Sequence, residues 1–481
     1  MSSSPVAAAG RRPRLGPILT VLALAQLIFS LDLNIVFVAL PDIGADLGFT
    51  EQTQQSVVSA YVVFAGGFLL LGGRAADLLG RRRVFVAALT IYALSSLAGG
   101  LAGSPLVIVI ARAVQGLGGA LLLPSTLALI NTLFEEGPRR NRALAVWGGA
   151  GASGLTLGAL LGGVLTQAFG WEAVFFVNVP LAGAVALVAL AVIPADVRAV
   201  VRRRFDLPGA LTVTGGATLA VFVLVQGPER GWAGPEVLVC AVLSVALLVA
   251  LAVIESRSVD PLMPPRLLRN RSLAAGVAVT FLYMATFGTL PYFLTVLLQT
   301  VHGFTALQTG LAFLLPSIAI ATGTQVGERL TTRLGTRTTL ITGFVGGVVG
   351  TAVLALGFGA DQGYLALVPG LVVSGVGQGI VWTSMWIAAG TGVQPSEQGV
   401  ANGMASTTLN IGNAIGLAVL IAISNADVAG RSGPALPDAL AAGGRTAVLI
   451  ASAGMVIGLL LALSFPTGRA EDGCSPGNAR G

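Results

Sequence analysis

The sequence predicts an all-α integral membrane protein with fourteen transmembrane helices arranged 6+2+6. Three observations point there: the composition, the length of the apolar runs, and the placement of arginine. Hydrophobic residues fill 54% of the 481 positions and charged residues only 10%, where a soluble domain carries about 25% charged residues. Runs of roughly 20 apolar residues recur from end to end, the length that crosses ~30 Å of hydrocarbon as a helix. They are continuous rather than short and alternating, which excludes a closed barrel.

In chain order the candidate helices are 16–40, 54–73, 84–104, 105–130, 142–168, 172–194, 207–226, 235–255, 272–299, 306–327, 338–359, 363–390, 398–424 and 446–465. All 27 basic residues are arginine. With the N-terminus in the cytoplasm, alternate connections collect 23 of them, among them Arg74, Arg81, Arg82, Arg83, Arg139, Arg140, Arg329, Arg333 and Arg337. The opposite side receives Arg230, Arg431 and Arg445, and Arg112 falls inside a run. That asymmetry is what the positive-inside rule expects, and dropping one helix would scramble it. Both termini are therefore expected in the cytoplasm. The organisation is a tail (1–15), a six-helix bundle (16–200), two central helices (201–260), a second six-helix bundle (261–466) and a tail (467–481).

The net charge of +6 does not suggest nucleic acid, because the arginines lie between apolar runs rather than on one face. Cys240 and Cys474 form no disulfide or metal spacing, and His302 is the single histidine. No metal site is expected. The first run carries an acidic residue and ends without a small-residue cleavage pattern, so no signal peptide is expected.

Residues 74–82 (RAADLLGRR) align without gaps to 329–337 (RLTTRLGTR). Each stretch follows the second run of its half, as in carriers built from internal repeats with a midplane site between them.

Asp32 is the one acidic residue placed well inside a run, and intramembrane carboxylates are functional candidates by default. It lies about eight residues before the outer end of the first run, and Arg112 about seven after the outer start of the fourth. At about 1.5 Å per residue both sit ~11 Å below the outer surface, so the two could face one another. Burial disfavours an ionised carboxylate and a nearby guanidinium favours it, so a change in their spacing would switch proton affinity. A permanent structural ion pair is the alternative. Asp77 differs: at a helix end among arginines it can pair with Arg81 or Arg82, or meet the positive N-terminus of the helix near Ser396. Its counterpart in the second half is Thr332, so a latch there is weaker or absent. Gly154, Gly158 and Gly162, spaced i, i+4, make a smooth strip for close helix approach.

Several stretches carry a family resemblance: LDLNIVFVALP (31–41), GRAADLLGRRR (73–83), RAVQGLGGA (112–120), WEAVFFVNVP (171–180), FDLPG (205–209) and PLMPPRLLRNR (261–271). In this order they resemble the fourteen-helix drug:proton antiporter branch of the major facilitator superfamily, over nearly the whole chain. The resemblance implies a monomeric, multi-pass carrier of a bacterial inner or plasma membrane. It implies export of a lipophilic drug-like or natural-product molecule in exchange for protons, by alternating access and with no cofactor. It implies proton coupling at Asp32, with Arg112 beside it. It also implies a gating loop of Gly73, Asp77, Gly80, Arg81 and Arg82 that latches the halves together. In the fifth run the antiporter signature has a Gly-Pro pair where this chain has Gly158-Ala159, which removes a kink.

Candidate substrate contacts are Gln26, Asn34, Gln115, Phe287, Tyr292, Gln378, Trp382, Trp386, Asn410 and Asn413. Large apolar cavities with few polar groups suit lipophilic ligands, and packing or lipid contact is the alternative for each aromatic. The tenth and thirteenth runs hold no central acid, which favours neutral or monocationic cargo over dications. A proton symporter for uptake is the rival within carriers. An enzyme would need a metal cluster, nucleophile–base pair or phosphate loop, and a scaffold would not need Asp32.

Overall fold

A computed structural model describes residues 15–49, 56–196, 207–231, 233–257, 267, 269–426 and 436–465. The tails but for Leu15 and the expected domain boundaries at 200/201 and 260/261 lie outside them, as do Cys474, Arg431, residues 205–206 and most of the stretch at 261–271. The described residues are helical and contain no strand. Among the described residues eleven helices are long and apolar enough to cross a membrane, or twelve if one bent pair counts as a single crossing.

The first half of the chain comprises α1 (Leu15–Leu47), the bent pair α2 (Ser56–Gly67) and α3 (Leu69–Leu79), α4 (Arg81–Gly100), α5 (Pro105–Leu133), α6 (Pro138–Phe169), the short α7 (Ala173–Phe176) and α8 (Asn178–Val192). A central pair follows, α9 (Leu207–Arg230) and α10 (Pro235–Arg257). The second half holds α11 (Arg271–Thr286), a 3-10 turn (Phe287–Thr289), α12 (Leu290–Thr295), a π turn (Val296–Val301), α13 (Ala306–Ala312), α14 (Leu314–Leu356), α15 (Tyr364–Gly390), α16 (Gln398–Ala426) and α17 (Leu436–Leu463).

Helix ends follow local chemistry. Asn270 caps α11 by accepting from the Ser272 and Leu273 amides at 3.0 and 3.2 Å, and Thr305 with Gln308 forms a reciprocal capping box on α13. The α2/α3 pair bends by 50° at Phe68. Two connections are shorter than the sequence suggests, because one glycine makes each. Gly80 (φ 102°) and its counterpart Gly335 (φ 82°) adopt left-handed backbone that other residues disfavour. The expected loop at 74–83 is thus helical except at Gly80, and Arg74 is a buried helix residue with a bonding partner rather than a loop charge. Helix α17 starts ten residues before the expected 446; Asp438 and Arg445 sit within its first three turns and had the look of a loop. Helix α6 runs unbroken through Gly158 and Ala159.

The halves meet along two seams: α6 against α14 and α15, and α3 with α5 against α16. The main apolar core joins both halves, and a second cluster gathers the C-terminal part of α1, the start of α5 and Trp171 to Phe175. Many large apolar side chains point outward, Leu365 and Phe169 among them, as expected of surface facing lipid. Helix α9 packs into the bend of α2/α3, with Val221 against Gly66 and Thr218 against Gly67. Helix α10 leans on α9, where the Ser244 hydroxyl donates to the Gly216 carbonyl at 2.8 Å, and most of its side chains face outward.

Candidate functional site

Asp32 sits at 0% exposure, turned into the first half by the packing of α1 on α6. A Cβ on Gly154 would stand 2.5 Å from the Leu27 carbonyl oxygen, and one on Gly162 would stand 2.8 Å from that of Ile35. Gly158 meets the Leu31 carbonyl more closely still. The glycine strip therefore brings α6 onto the backbone of α1 just where Asp32 departs.

Three donors converge on this carboxylate. Arg112 Nη1 donates to Oδ2 at 2.7 Å. Gln115 Nε2 and Asn178 Nδ2 donate to Oδ1 at 2.9 and 2.8 Å. Arg112 also donates to Gln115 Oε1 at 2.8 Å and to the Val57 carbonyl at 3.3 Å, and its guanidinium lies 4.3 Å from the centre of the Tyr61 ring. Gln115 donates further to Ser96, whose hydroxyl donates to the Phe175 carbonyl at 3.1 Å. An ion pair this deep stays folded only when its remaining polar atoms are matched, and these bonds match them. The network draws on α1, α2, α4, α5, α7 and α8, so any change of charge at Asp32 is felt by six elements.

The turn around Gly80 forms a second constellation. Asp77 Oδ1 and Oδ2 accept from the Gly399 and Val400 amides at 3.2 and 3.1 Å, an anion on the free donors of the α16 N-terminus. Arg81 donates to Asp77 at 3.2 Å and also to the Pro395 carbonyl. The backbones of Gly73 and Gly399 touch so closely that a Cβ on either would meet the other's carbonyl oxygen. Arg82 does not join Asp77; its side chain donates to the Leu190 carbonyl, and its amide and that of Arg83 donate to Asp196 at 3.1 Å each. Asp196 thus caps α4 beside Gly80. Nearby, Asn131 Nδ2 donates to Gln398 Oε1 at 3.0 Å across the same seam.

The expected substrate contacts do not share one site. Gln115 belongs to the Asp32 network, because it lies one helical turn from Arg112 on the same face. Tyr292 is 42% exposed and packs edge-on to Phe293, away from the other candidates. Gln26 donates to Ser30 at 3.2 Å, Asn34 is half-buried with a partner of its own, and Asn410 donates to the Ser406 carbonyl one turn earlier at 2.9 Å. The half-buried Asn413 faces Gly288 in the 3-10 turn. Trp382, Trp386, Phe287 and Gln378 do gather, around Tyr283. Its ring centre lies 5.4 Å from those of both Phe287 and Trp382, and its hydroxyl lies near the Gln378 side chain. Trp147 of α6 completes this group, 6.0 Å from Trp382 and 5.7 Å from Trp386.

Sequence reasoning missed Asn178, Ser96 and Trp147 as individual positions. Asn178 carried a usable signal: it is a lone amide in an apolar run, subject to the same burial argument as Asp32. Among the described residues no group of three or more His, Cys, Asp or Glu could hold a metal ion.

Comparison with known proteins places this architecture. Residues 22–417 match the family model described as Major Facilitator Superfamily. The chain is 35% identical to the puromycin resistance protein of Streptomyces alboniger, over all of this chain and 97% of that one. It is 36% identical to the cephamycin export protein of Amycolatopsis lactamdurans, covering 88% of each. Identity to the tetracenomycin C resistance and export protein of Streptomyces glaucescens is 32%, over 90% of this chain and 79% of that one. Among solved structures, the human organic anion transporter MFSD10 superposes with a TM-score of 0.67 at 19% identity, over 94% of this chain and 100% of that one. The proton:xylose symporter XylE gives 0.66 at 14%, over 93% and 95%. With a family match spanning most of its length, relatives aligned nearly end to end and the helical fold to go with them, this chain belongs to the Major Facilitator Superfamily and is a multi-pass membrane transporter.

Proposed function

We propose that the protein exports lipophilic, drug-like or natural-product molecules in exchange for protons, by alternating access, as a monomer without a cofactor. The observation that carries this reading is Asp32, a carboxylate at full burial held by three donors from two other helices. Three of its roughly four acceptor sites are filled, so a proton taken up at Oδ2 cancels the charge that Arg112 pairs with and weakens the bonds to α5 and α8. Proton uptake and helix movement are thereby linked, which is what coupling requires. Asp77, with Gly73 and Arg81, would latch the cytoplasmic ends, Gly80 and Arg82 would hold the turn within the first half, and Gly154, Gly158 and Gly162 would serve as the bearing of α6 on α1.

Export is supported by the relatives named above, whose descriptions are of antibiotic resistance and export. A fourteen-crossing 6+2+6 plan is supported by the break at Gly335. Unbroken, the 43 residues of α14 would run roughly 65 Å at ~1.5 Å per residue, about twice the hydrocarbon core. Counting α9 and both arms of α14 raises twelve crossings to fourteen. Both termini then fall on the cytoplasmic side, with the arginine-rich connections.

The test is dye accumulation in inverted vesicles under an imposed proton gradient. The wild type should accumulate a fluorescent lipophilic dye, and Asp32→Asn should fall to the level seen without a gradient. Counterflow of unlabelled substrate against dye, which needs no proton, should persist and shows the variant to be folded. Normal gradient-driven accumulation by Asp32→Asn would sink the coupling assignment.

A further inference from the structure

The aromatic group around Trp382 holds an unusual set of donors. An indole N–H can only donate, and buried tryptophans ordinarily find an acceptor for it. Here the Nε1 atoms of Trp147, Trp382 and Trp386 are all buried without a partner. Trp147 and Trp386 are 0% and 1% exposed. Trp382 is half-buried and so forms the reachable edge of the group.

The rings are arranged as a clasp across the seam. Trp147 comes from α6 in the first half, and Trp382 and Trp386 from α15 in the second. Trp147 and Trp382 are nearly parallel, at 11°. Trp386 stands edge-on to both, at 88° and 79°. The pyrrole edge of Trp382 rests over Gly148, where a Cβ would come within 2.6 Å of its Nε1. Among the described residues the one cation on an aromatic face is Arg112 over Tyr61, so no cation is recorded on these rings. Parallel faces from opposite halves, edged by unspent donors and without a charge, match one ligand chemistry: a flat aromatic ring system bearing carbonyl or phenol oxygens.

We propose that Trp147, Trp382 and Trp386 form the subsite for a planar, oxygenated aromatic portion of the cargo, which replaces the Trp147–Trp382 stack when the halves part. This rests on the efflux reading above and narrows its substrate class. The aromatic faces supply affinity, and the indole donors select for acceptor oxygens, since a ligand without them leaves the donors unpaired.

The experiment measures equilibrium binding to the full chain in lipid nanodiscs, with no gradient, by dialysis against three probes. These are 1,8-dihydroxyanthraquinone, anthracene and perhydroanthracene, its saturated analogue. Wild type should prefer the anthraquinone. Trp382→Leu and Trp147→Leu should weaken anthraquinone binding more than about tenfold and change perhydroanthracene binding less than about twofold. Trp382→Phe, a mild change at the half-buried ring, should cost the anthraquinone roughly threefold to tenfold and anthracene nothing, because it removes a donor and keeps a ring. The proposal is overturned if wild type shows no preference for the anthraquinone, if the Leu variants weaken all three probes alike, or if Trp382→Phe affects anthracene as much. The export reading is judged separately, by gradient-driven dye accumulation and its dependence on Asp32, and it survives any of those outcomes.

Discussion

The two repeats end their second crossing in the same backbone shape and with opposite chemistry. In the first half Gly80 makes the turn, and Asp77 beside it is buried, its side chain 2% exposed, bonded to two amides of α16 and to Arg81. In the second half Gly335 makes the turn, and the residue matching Asp77 is the exposed Thr332. Thr332 accepts a single bond from Asn141 of α6 at 3.2 Å and donates a long one to Glu328 at 3.4 Å. Arg81 has Thr336 as its counterpart. The repeat therefore preserves the turn and discards the charge. The difference teaches that the turn is a demand of the fold, whereas the charged contact is confined to the α3–α16 seam.

That contrast can be broken at three strengths. Gly399→Val should have the largest effect, since its new Cβ would lie 2.7 Å from Asp77 Oδ2 and closer still to the Gly73 carbonyl. Overpacking of this kind costs ~3 kcal/mol, about a hundredfold in the population closed at this seam. Spin labels at Leu79 and Ser396 should report the long-distance state almost exclusively. Asp77→Asn keeps the shape and removes the charge, at about 2 kcal/mol or roughly a thirtyfold shift between the same labels. Thr332→Ala should move labels at Arg139 and Arg333 by less than about threefold in population, the worth of one neutral, exposed bond. A Thr332→Ala effect as large as that of Asp77→Asn would make the two seams equivalent and sink the comparison.

Much of this was legible in the sequence, for identifiable reasons. Helical rise converts sequence position to depth, so the equal depths of Asp32 and Arg112 could be computed, and the 2.7 Å contact occurs at that level. Rotation about a helix axis is harder to read. Gln115 lies three residues from Arg112 on the same face, and that rotation turns it to Asp32. Asn178 lies in the WEAVFFVNVP stretch, where nothing in the spacing links its amide to Asp32, 146 residues away. Gly80 and Gly335 were aligned correctly, but a connection of one residue leaves no polar stretch to detect, so Arg74 read as loop. Trp147 sits beside Gly148 and Gly149, where small residues drew attention to packing and away from the ring between the halves.

The central pair has a consequence of an evolutionary kind. Helix α10 meets the rest of the protein chiefly through α9, and α9 docks on a bend that α2 and α3 already possess. A hairpin attached in this manner can be gained or lost in descent while the hydrogen bonds of Asp32 and Asp77 are kept, because none of them involves residues 207–257. Lineages with and without such an insertion could share one transport core, differing in what they present to the surrounding lipid.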